Sequence, residues 1–86
     1  MTIIFHRNFE KQICKLKVGE RRRLQERLKI YLRNPFDATL NNHPLKGKYA
    51  DYRSINIGGD LRAVYKRIDD DRCIFTEIGT HGELYS

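Results

Sequence analysis

Apolar positions in the first half of the chain recur with the period of a helix. A β-prone run over residues 2–5 comes first, and Asn8 follows as a candidate helix N-cap. The next apolar side chains form one helical stripe: Phe9, Ile13 and Leu16. A second stripe predicts a helix from about Glu20 to Arg33, which ends before Pro35 because the residue preceding a proline avoids the α conformation.

The second half changes to the period of a strand after a loop over residues 35–48. In the strand that follows this loop, two sets of side chains alternate along the chain. One set is Arg53, Ile55 and Ile57, and the other is Tyr52, Ser54 and Asn56. Gly58 and Gly59 then supply a tight hairpin turn. The chain returns as a strand over 61–66 and, after an acidic turn, forms a last strand over 73–78.

This order, β-α-α-β-β-β, predicts an α+β fold in a single domain over residues 1–86. We expect an antiparallel sheet with a two-helix hairpin packed on one face. The first strand must join the sheet, because a lone strand is not stable. Two helices cover one face of such a sheet, so the other face is expected to be open, partly polar and suited to a site.

The net charge of +6 arises in the first half, since acids and bases balance after residue 43. A basic surface attracts phosphate polyanions of any sequence. A solvated, solubilising face explains the same charge equally well. Charge therefore allows a nucleic-acid partner without requiring one.

Several functional classes are excluded by what the sequence lacks. No apolar run approaches the ~18 residues of a membrane span, and the first residues do not resemble a secretory signal. Cys14 and Cys73 form no CxxC, and there is no HExxH or GxSxG motif. We therefore expect a cytoplasmic protein with no membrane contact, no metal and no cofactor.

Metal-independent cleavage of RNA needs a base for the 2′-OH, an acid for the leaving oxygen and cations for the phosphorane. Histidine suits either proton role, and the planar fork of arginine suits phosphate. The second half contains a set with this chemistry: His43, Arg53, Asp60, Arg62, His81, Glu83 and Tyr85. Each of these residues also has a purely structural explanation, such as an aspartate in a turn or a tyrosine at the end of a strand. The set is chemically sufficient for cleavage, but the sequence does not show that its members lie close together.

Several motifs together resemble the RelE superfamily of type II toxins, with the YafQ branch the nearest match. They are His43-Pro44-Leu45-Lys46-Gly47, Tyr52-Arg53, Arg62-Ala63-Val64-Tyr65-Lys66, Gly79-Thr80-His81 and Leu84-Tyr85. The motifs cover residues 42–86, and the first half matches only in its pattern of elements. The resemblance implies a β-α-α-β-β-β fold and metal-independent cleavage of mRNA in the ribosomal A site by 2′-OH attack. It also implies a cognate acidic antitoxin, with the toxin monomeric alone and hetero-oligomeric in that complex.

Site residues follow from the resemblance position by position. His43 matches an active-site histidine, Asp60 an active-site aspartate, and His81 a histidine expected to act as general acid or base. Tyr85 lies where the YafQ branch has a phenylalanine that holds RNA. Arg62 resembles the phosphate-binding arginine of the YoeB branch. Other basic residues are expected to bind RNA or the ribosome: Arg53, Lys46, Lys48, Arg21, Arg22, Arg23 and Arg27.

Two positions depart from the YafQ pattern, and two other functions remain open. Asn56 replaces a histidine and Leu61 a tryptophan, so one acid/base group is missing and Arg62 can offset it by stabilising phosphate charge. One alternative is a non-catalytic gyrase inhibitor of the ParE type. The other is a basic RNA-binding module that stacks bases on aromatic side chains, although these are better explained as strand formers.

Overall fold

The computed structural model describes residues 1–85 and contains one five-stranded sheet. The strands are β1 (Thr2–Phe5), β2 (His43–Pro44), β3 (Arg53–Gly58), β4 (Leu61–Arg67) and β5 (Arg72–Thr80). The α-helices are α1 (Arg7–Ile13), α2 (Val18–Arg33) and α3 (His81–Tyr85), and 3₁₀ turns lie at Ala38–Leu40 and Gly47–Tyr49. None of the helices within residues 1–85 is both long enough and apolar enough to cross a membrane.

The strand order is β1-β5-β4-β3-β2, and the predicted α+β class is confirmed. The six predicted elements occur in the predicted order, and the structure adds β2, within the predicted loop, and α3 after the last strand. The pairs β3–β4 and β4–β5 are antiparallel, as predicted. The short β2, in a stretch predicted as a loop, also pairs antiparallel with β3. The antiparallel prediction is wrong for β1, which pairs in parallel with β5. Parallel neighbours need a long crossover connection, and the whole chain between β1 and β5 supplies it.

An aromatic cluster fills the core between the sheet and the first two helices. Phe75 in β5 lies at its centre, 4.9 Å from the ring of Tyr65, 5.6 Å from Tyr31 and 5.7 Å from Phe9. Because Phe9 belongs to α1 and Tyr31 to α2, both helices pack on the same face. Burial of each such ring contributes about 1.5–3 kcal/mol, so this cluster carries much of the stability.

The first helix begins differently from the prediction. Its N-cap is His6, whose Nδ1 accepts the backbone N–H of Asn8 at 3.0 Å, so the prediction of Asn8 as N-cap is wrong. The Asn8 amide instead donates to the carbonyl of Thr76 at 3.2 Å. The imidazole satisfies an N–H that the helix itself leaves without a partner.

The opposite face, which we call the second face, carries Ser54, Asn56, Arg62, Val64, Glu77 and Gly79 in the register of β3, β4 and β5. We expected this face to be open, but it is partly covered. A Cβ on Gly79 would meet Glu83 Oε1 at 3.3 Å and Leu84 Cδ2 at 3.4 Å, so α3 lies directly over it. The prediction missed α3 because five residues are too short to show helical periodicity.

A reciprocal capping arrangement holds α3 at the end of β5. The Thr80 backbone N–H donates to Glu83 Oε1 at 2.8 Å, and the Glu83 N–H donates to Thr80 Oγ1 at 3.2 Å. The hydrogen bond from the Thr80 backbone, followed by that from its hydroxyl, lowers the pKa of Glu83. Glu83 therefore orders the segment that begins with His81.

Replacing Tyr31 by phenylalanine is expected to reduce the sensitivity of the fold to alkali. Burial, followed by the nearby Cys73 and Tyr65, raises the pKa of the Tyr31 phenol far above its ordinary value. A raised pKa stabilises the fold below the unfolded pKa of about 10, and this stability is lost as pH rises further. The wild type should lose about 1.4 kcal/mol per pH unit relative to Tyr31→Phe above that pH. Urea unfolding at several pH values measures the difference, and parallel curves for both proteins would contradict it.

Replacing Thr80 by valine is expected to loosen α3 and leave the core intact. The substitution removes the hydroxyl that accepts the Glu83 N–H, and loss of an N-cap costs about 1 kcal/mol. Hydrogen exchange in residues 82–85 should accelerate about fivefold, with no change in β4 or β5. Thr2→Val at the exposed start of β1 is the matched control. Equal exchange in Thr80→Val and the wild type would reject the role of this cap.

Candidate active site

Arg62 is held at the hairpin end of the second face. In the sheet it lies between Asn56 of β3 and Gly79 of β5. Its Nη1 donates to Asn56 Oδ1 at 2.9 Å and to the Gly59 carbonyl at 3.1 Å. Asn56 Oδ1 also accepts the Gly58 N–H at 3.1 Å, so its hydrogen bonds from Gly58 and Arg62 together fix the position of this oxygen. The guanidinium has five N–H donors, and these bonds use one nitrogen only, which leaves donors for a phosphate.

His81 lies at the same end of the sheet. Thr80 forms the last pair with Leu61, and His81 begins α3 immediately beyond it. Its exposed ring packs against Tyr85, with centroids 4.9 Å apart at an interplanar angle of 64°. The chain thus brings an imidazole and the Arg62 guanidinium to one end of one face.

A chain of side chains extends from His81 across the second face. Tyr85 packs edge-to-face on Tyr49 at 6.1 Å, and the Tyr49 hydroxyl donates to Glu77, with 3.3 Å to each carboxylate oxygen. Burial, followed by the charge of Glu77, raises the pKa of Tyr49 and keeps the hydroxyl protonated. The Tyr85 hydroxyl is itself buried and has no hydrogen-bond partner within residues 1–85.

Three of these residues were missed as site residues by the sequence reasoning. Asn56 was treated only as the loss of a histidine, whereas it anchors Arg62. Glu77 and Tyr49 each gave one usable signal: Glu77 is the only charged residue in the predicted strand 73–78, and Tyr49 is an aromatic residue beside Lys48. Their contact depends on the 3₁₀ turn at Gly47–Tyr49, which no periodic pattern indicates.

His43 and Asp60 lie at the margin of this arrangement. His43 in β2 pairs with Ser54, so it shares the second face, but three strand spacings of about 4.8 Å separate β2 from β5. Its Nδ1 is 2.8 Å from the carbonyl oxygen of Asn41. Asp60 is exposed in the turn between β3 and β4, next to the segment that holds Arg62.

Arg53 is on the other side of the sheet, away from the candidate site. It pairs with Tyr65, a core residue, and its Nε donates to Asn42 Oδ1 at 2.7 Å. The guanidinium also lies 5.2 Å from the ring centroid of Phe36. These contacts tie the loop after α2 to the sheet, which accounts for Arg53 without RNA.

The other predicted RNA-binding residues are dispersed. Arg21 donates to the carbonyls of Leu16 and Cys14 and closes the joint between α1 and α2. Arg23 packs against Gly58 at the hairpin. The exposed ones are Lys46, Lys48 and Arg22, and Arg27 is half-buried. Lys48 lies 5.3 Å from the ring centroid of Tyr49, so it is next to the second face.

No metal centre is evident in residues 1–85. No three histidine, cysteine, aspartate or glutamate side chains gather closely enough to hold an ion. Cys14 is exposed and Cys73 is buried, and both are free thiols. The chemistry available on the second face is therefore that of a guanidinium, imidazoles, carboxylates and phenols.

Known toxins share this fold. YafQ from E. coli strain BL21(DE3) superimposes with a TM-score of 0.80 at 23% identity, covering 99% of this chain and 98% of that one. YafQ in the E. coli DinJ-YafQ toxin-antitoxin complex gives 0.70 at 26% identity, covering 99% and 97%. In the archaeal RelE-RelB complex from Pyrococcus horikoshii OT3, the matching chain gives 0.73 at 20% identity, covering 93% of both.

Sequence comparison identifies the family. No curated protein matches the chain. The family described as "Bacterial toxin of type II toxin-antitoxin system, YafQ" matches residues 1–86. Since this match spans the whole sequence, the chain belongs to the YafQ family of bacterial type II toxins.

Proposed function

We propose that this toxin is a ribosome-dependent endoribonuclease that cuts mRNA in the A site by metal-independent attack of a 2′-OH on the adjacent phosphate. The observation that carries the proposal is Arg62, anchored by Asn56 at the end of the sheet where His81 begins α3. Family membership supports the toxin role. The protein acts in the cytoplasm, where ribosomes carry mRNA.

Arg62 stabilises the charge that develops on the phosphorane. Its bonds to Asn56 and Gly59 fix the guanidinium before the substrate arrives, so no reorganisation is required at the moment of reaction. One preorganised donor of this kind contributes about 10²–10³ in rate. This offsets the imidazole that Asn56 replaces, because charge stabilisation compensates for a weaker proton transfer.

His81 moves a proton at the scissile phosphate. Its exposed ring reaches solvent and substrate, while Tyr85 packs against it and limits its rotation. A positioned imidazole contributes about 10²–10⁴ in rate as general acid or base. The second proton role falls to His43 or Asp60, both near the Asn56 side of the site.

The partners follow from charge and from the relatives. The net charge of +6 favours an acidic antitoxin, and the similar E. coli YafQ is known in a toxin-antitoxin complex with DinJ. Exposed Lys46, Lys48 and Arg22 bind the phosphates of mRNA or ribosomal RNA. The toxin is a monomer alone and forms a hetero-oligomer with its antitoxin.

Replacing His81 by alanine is expected to lower mRNA cleavage about 10²-fold or more, because a proton-transfer group is lost. Purified protein is added to a coupled translation system, and the cut sites are mapped by primer extension. Lys29→Ala, an exposed residue of α2, is the matched control and should cleave like the wild type. Intact mRNA at high wild-type dose, or full activity in His81→Ala, contradicts the proposal. Inhibition of gyrase supercoiling in place of cleavage would indicate the ParE-type alternative.

Replacing Asn56 by alanine is expected to lower kcat about tenfold, less than the ~10²–10³ lost when a preorganised donor is removed, because the Arg62 guanidinium remains and only its anchor is lost. The substitution frees the guanidinium and leaves its charge, so KM for ribosome-bound mRNA should change little. Asn34→Ala, at the exposed end of α2, is the control. A rise in KM at constant kcat would show that Asn56 serves binding and not the positioning of Arg62.

A further inference from the structure

Asn41 has an unusual backbone conformation. Within residues 1–85 it is the only residue other than glycine with a positive φ. Its φ of 46° and ψ of 48° lie in the left-handed region, directly after the 3₁₀ turn at Ala38–Leu40. This region is unfavourable for residues with a Cβ, although asparagine tolerates it better than most. The Asn41 side chain is exposed, so what this position requires is a backbone conformation.

The residues on both sides hold Asn41 in this conformation. Leu40 is fully buried in the core. Asn42 is fixed through its side chain, whose Nδ2 donates to the Tyr65 hydroxyl at 2.8 Å. Its Oδ1 accepts Arg53 Nε at 2.7 Å. The backbone at Asn41 therefore cannot relax unless a buried side chain moves or these hydrogen bonds break.

The anchored Asn42 also determines where His43 lies. Arg53 and Tyr65 are on the core side of the sheet, and Asn42 contacts both, so it faces that side as well. Successive side chains of an extended segment point to opposite faces. His43 is therefore held on the second face, in agreement with the register of β2.

The carbonyl of Asn41 determines which ring nitrogen of His43 carries a proton. Its oxygen lies 2.8 Å from His43 Nδ1. A carbonyl oxygen can only accept a hydrogen bond, so Nδ1 is the donor. In the neutral ring the proton therefore resides on Nδ1, and Nε2 keeps a free lone pair that can take a proton from a hydroxyl. The left-handed backbone of Asn41 thus prepares His43 to act as a base.

Arg62 lies between His43 and His81 in the order of the strands. Its Nη1 reaches Asn56 Oδ1 of β3, so the guanidinium leans from β4 toward the side on which β2 carries His43. His81 begins α3 beyond the end of β5, on the other side of Arg62. In phosphoryl transfer the attacking and leaving oxygens are roughly in line across the phosphorus. A base and an acid on opposite sides of the phosphate-binding arginine fit that geometry.

We propose that Asn41 is a positioning residue, whose left-handed backbone directs its carbonyl to His43 Nδ1 so that His43 Nε2 accepts the proton of the 2′-OH. His81 then protonates the leaving 5′ oxygen. The O2′–P bond forms as the P–O5′ bond breaks, which leaves a 2′,3′-cyclic phosphate and a 5′-hydroxyl, and exchange with solvent resets both protons. This proposal rests on the proposed ribonuclease function.

Nitrogen chemical shifts of isotopically labelled histidine report the tautomer and require no RNA. The His43 signals are identified by their absence in His43→Ala. At about pH 8.5, where an imidazole is neutral, the wild type should have a protonated Nδ1 and a bare Nε2. Asn41→Val should move the proton mainly to Nε2, because a β-branched residue disfavours positive φ and the carbonyl turns away. Asn41→Gly should keep the wild-type signals, since glycine adopts this conformation readily.

Cleavage of ribosome-bound mRNA measures the consequence for the reaction. Asn41→Val is expected to lower kcat about tenfold with little change in KM, because His43 loses part of the ~10²–10⁴ that a positioned base contributes. Asn41→Gly should restore kcat to within about twofold of the wild type. Thr39→Val, at an exposed position in the preceding turn, is the matched control. In a His43→Ala background, Asn41→Val should cause no further loss, because the two residues act as a unit.

A wild type whose His43 proton lies on Nε2 would overturn the proposal. So would an unchanged kcat or a raised KM in Asn41→Val, a failure of Asn41→Gly to restore kcat, or a tenfold loss that persists in the His43→Ala background. Thermal unfolding verifies the fold of Asn41→Val. If that variant does not fold, Asn41→Ala gives the same test with a loss of about threefold, since alanine lacks the branch. Absence of cleavage by the wild type would reject the ribonuclease function and the base role together, whereas the tautomer signals would still report the contact between Asn41 and His43.

Discussion

The pairing of Arg62 with Gly79 across β4 and β5 determines how the second face is built. Gly79 presents only hydrogen where a Cβ would meet Glu83 and Leu84 at 3.3–3.4 Å. That missing side chain lets α3 settle directly on the sheet. The helix then carries His81 to the end where Arg62 is anchored and brings Tyr85 onto Tyr49. The candidate site therefore depends on close contact between a helix and a glycine.

The two faces of the sheet differ in how they are stabilised. The aromatic cluster of Phe75 and the three rings packed on it joins two helices to the sheet and is fully buried. On the second face, α3 has five residues, too few for a helix to be stable without tertiary contacts. Its cap at Thr80, its buried Leu84 and the Tyr85–Tyr49 contact supply those contacts. The candidate site thus lies on a part of the fold that is held by few tertiary contacts.

The periods of 3.6 and 2 were sufficient to predict the order of the longer elements, because both signals extend over whole helices and strands; the short β2 and α3 show neither period. Parity also predicts the face of each residue in β3, but not in β5, where a register shift puts Phe75 and Glu77 on opposite faces. Arg53 shares the parity of Ile55 and Ile57, and the structure indeed places it on the core side, although motif resemblance suggested a role in RNA binding. The spacing of Thr80 and Glu83 is a local capping signal for α3. The 3₁₀ turns and the parallel pairing of β1 depend instead on tertiary contacts, which no local pattern encodes. The contact between Tyr49 and Glu77 could not be predicted for the same reason.

Net charge overstates the number of cations that are available to RNA. Arg21 closes the helix joint and Arg53 ties a loop to the sheet, so their donors are already engaged. Arg67 and Arg72 contact acids of the last turn, at 3.7 Å and 2.8 Å. Exposed ion pairs add little stability, but they cancel the field that each cation would project. The cations that remain available to an anionic partner therefore form a smaller set next to the second face, in which Lys48 and Lys66 lie beside aromatic rings.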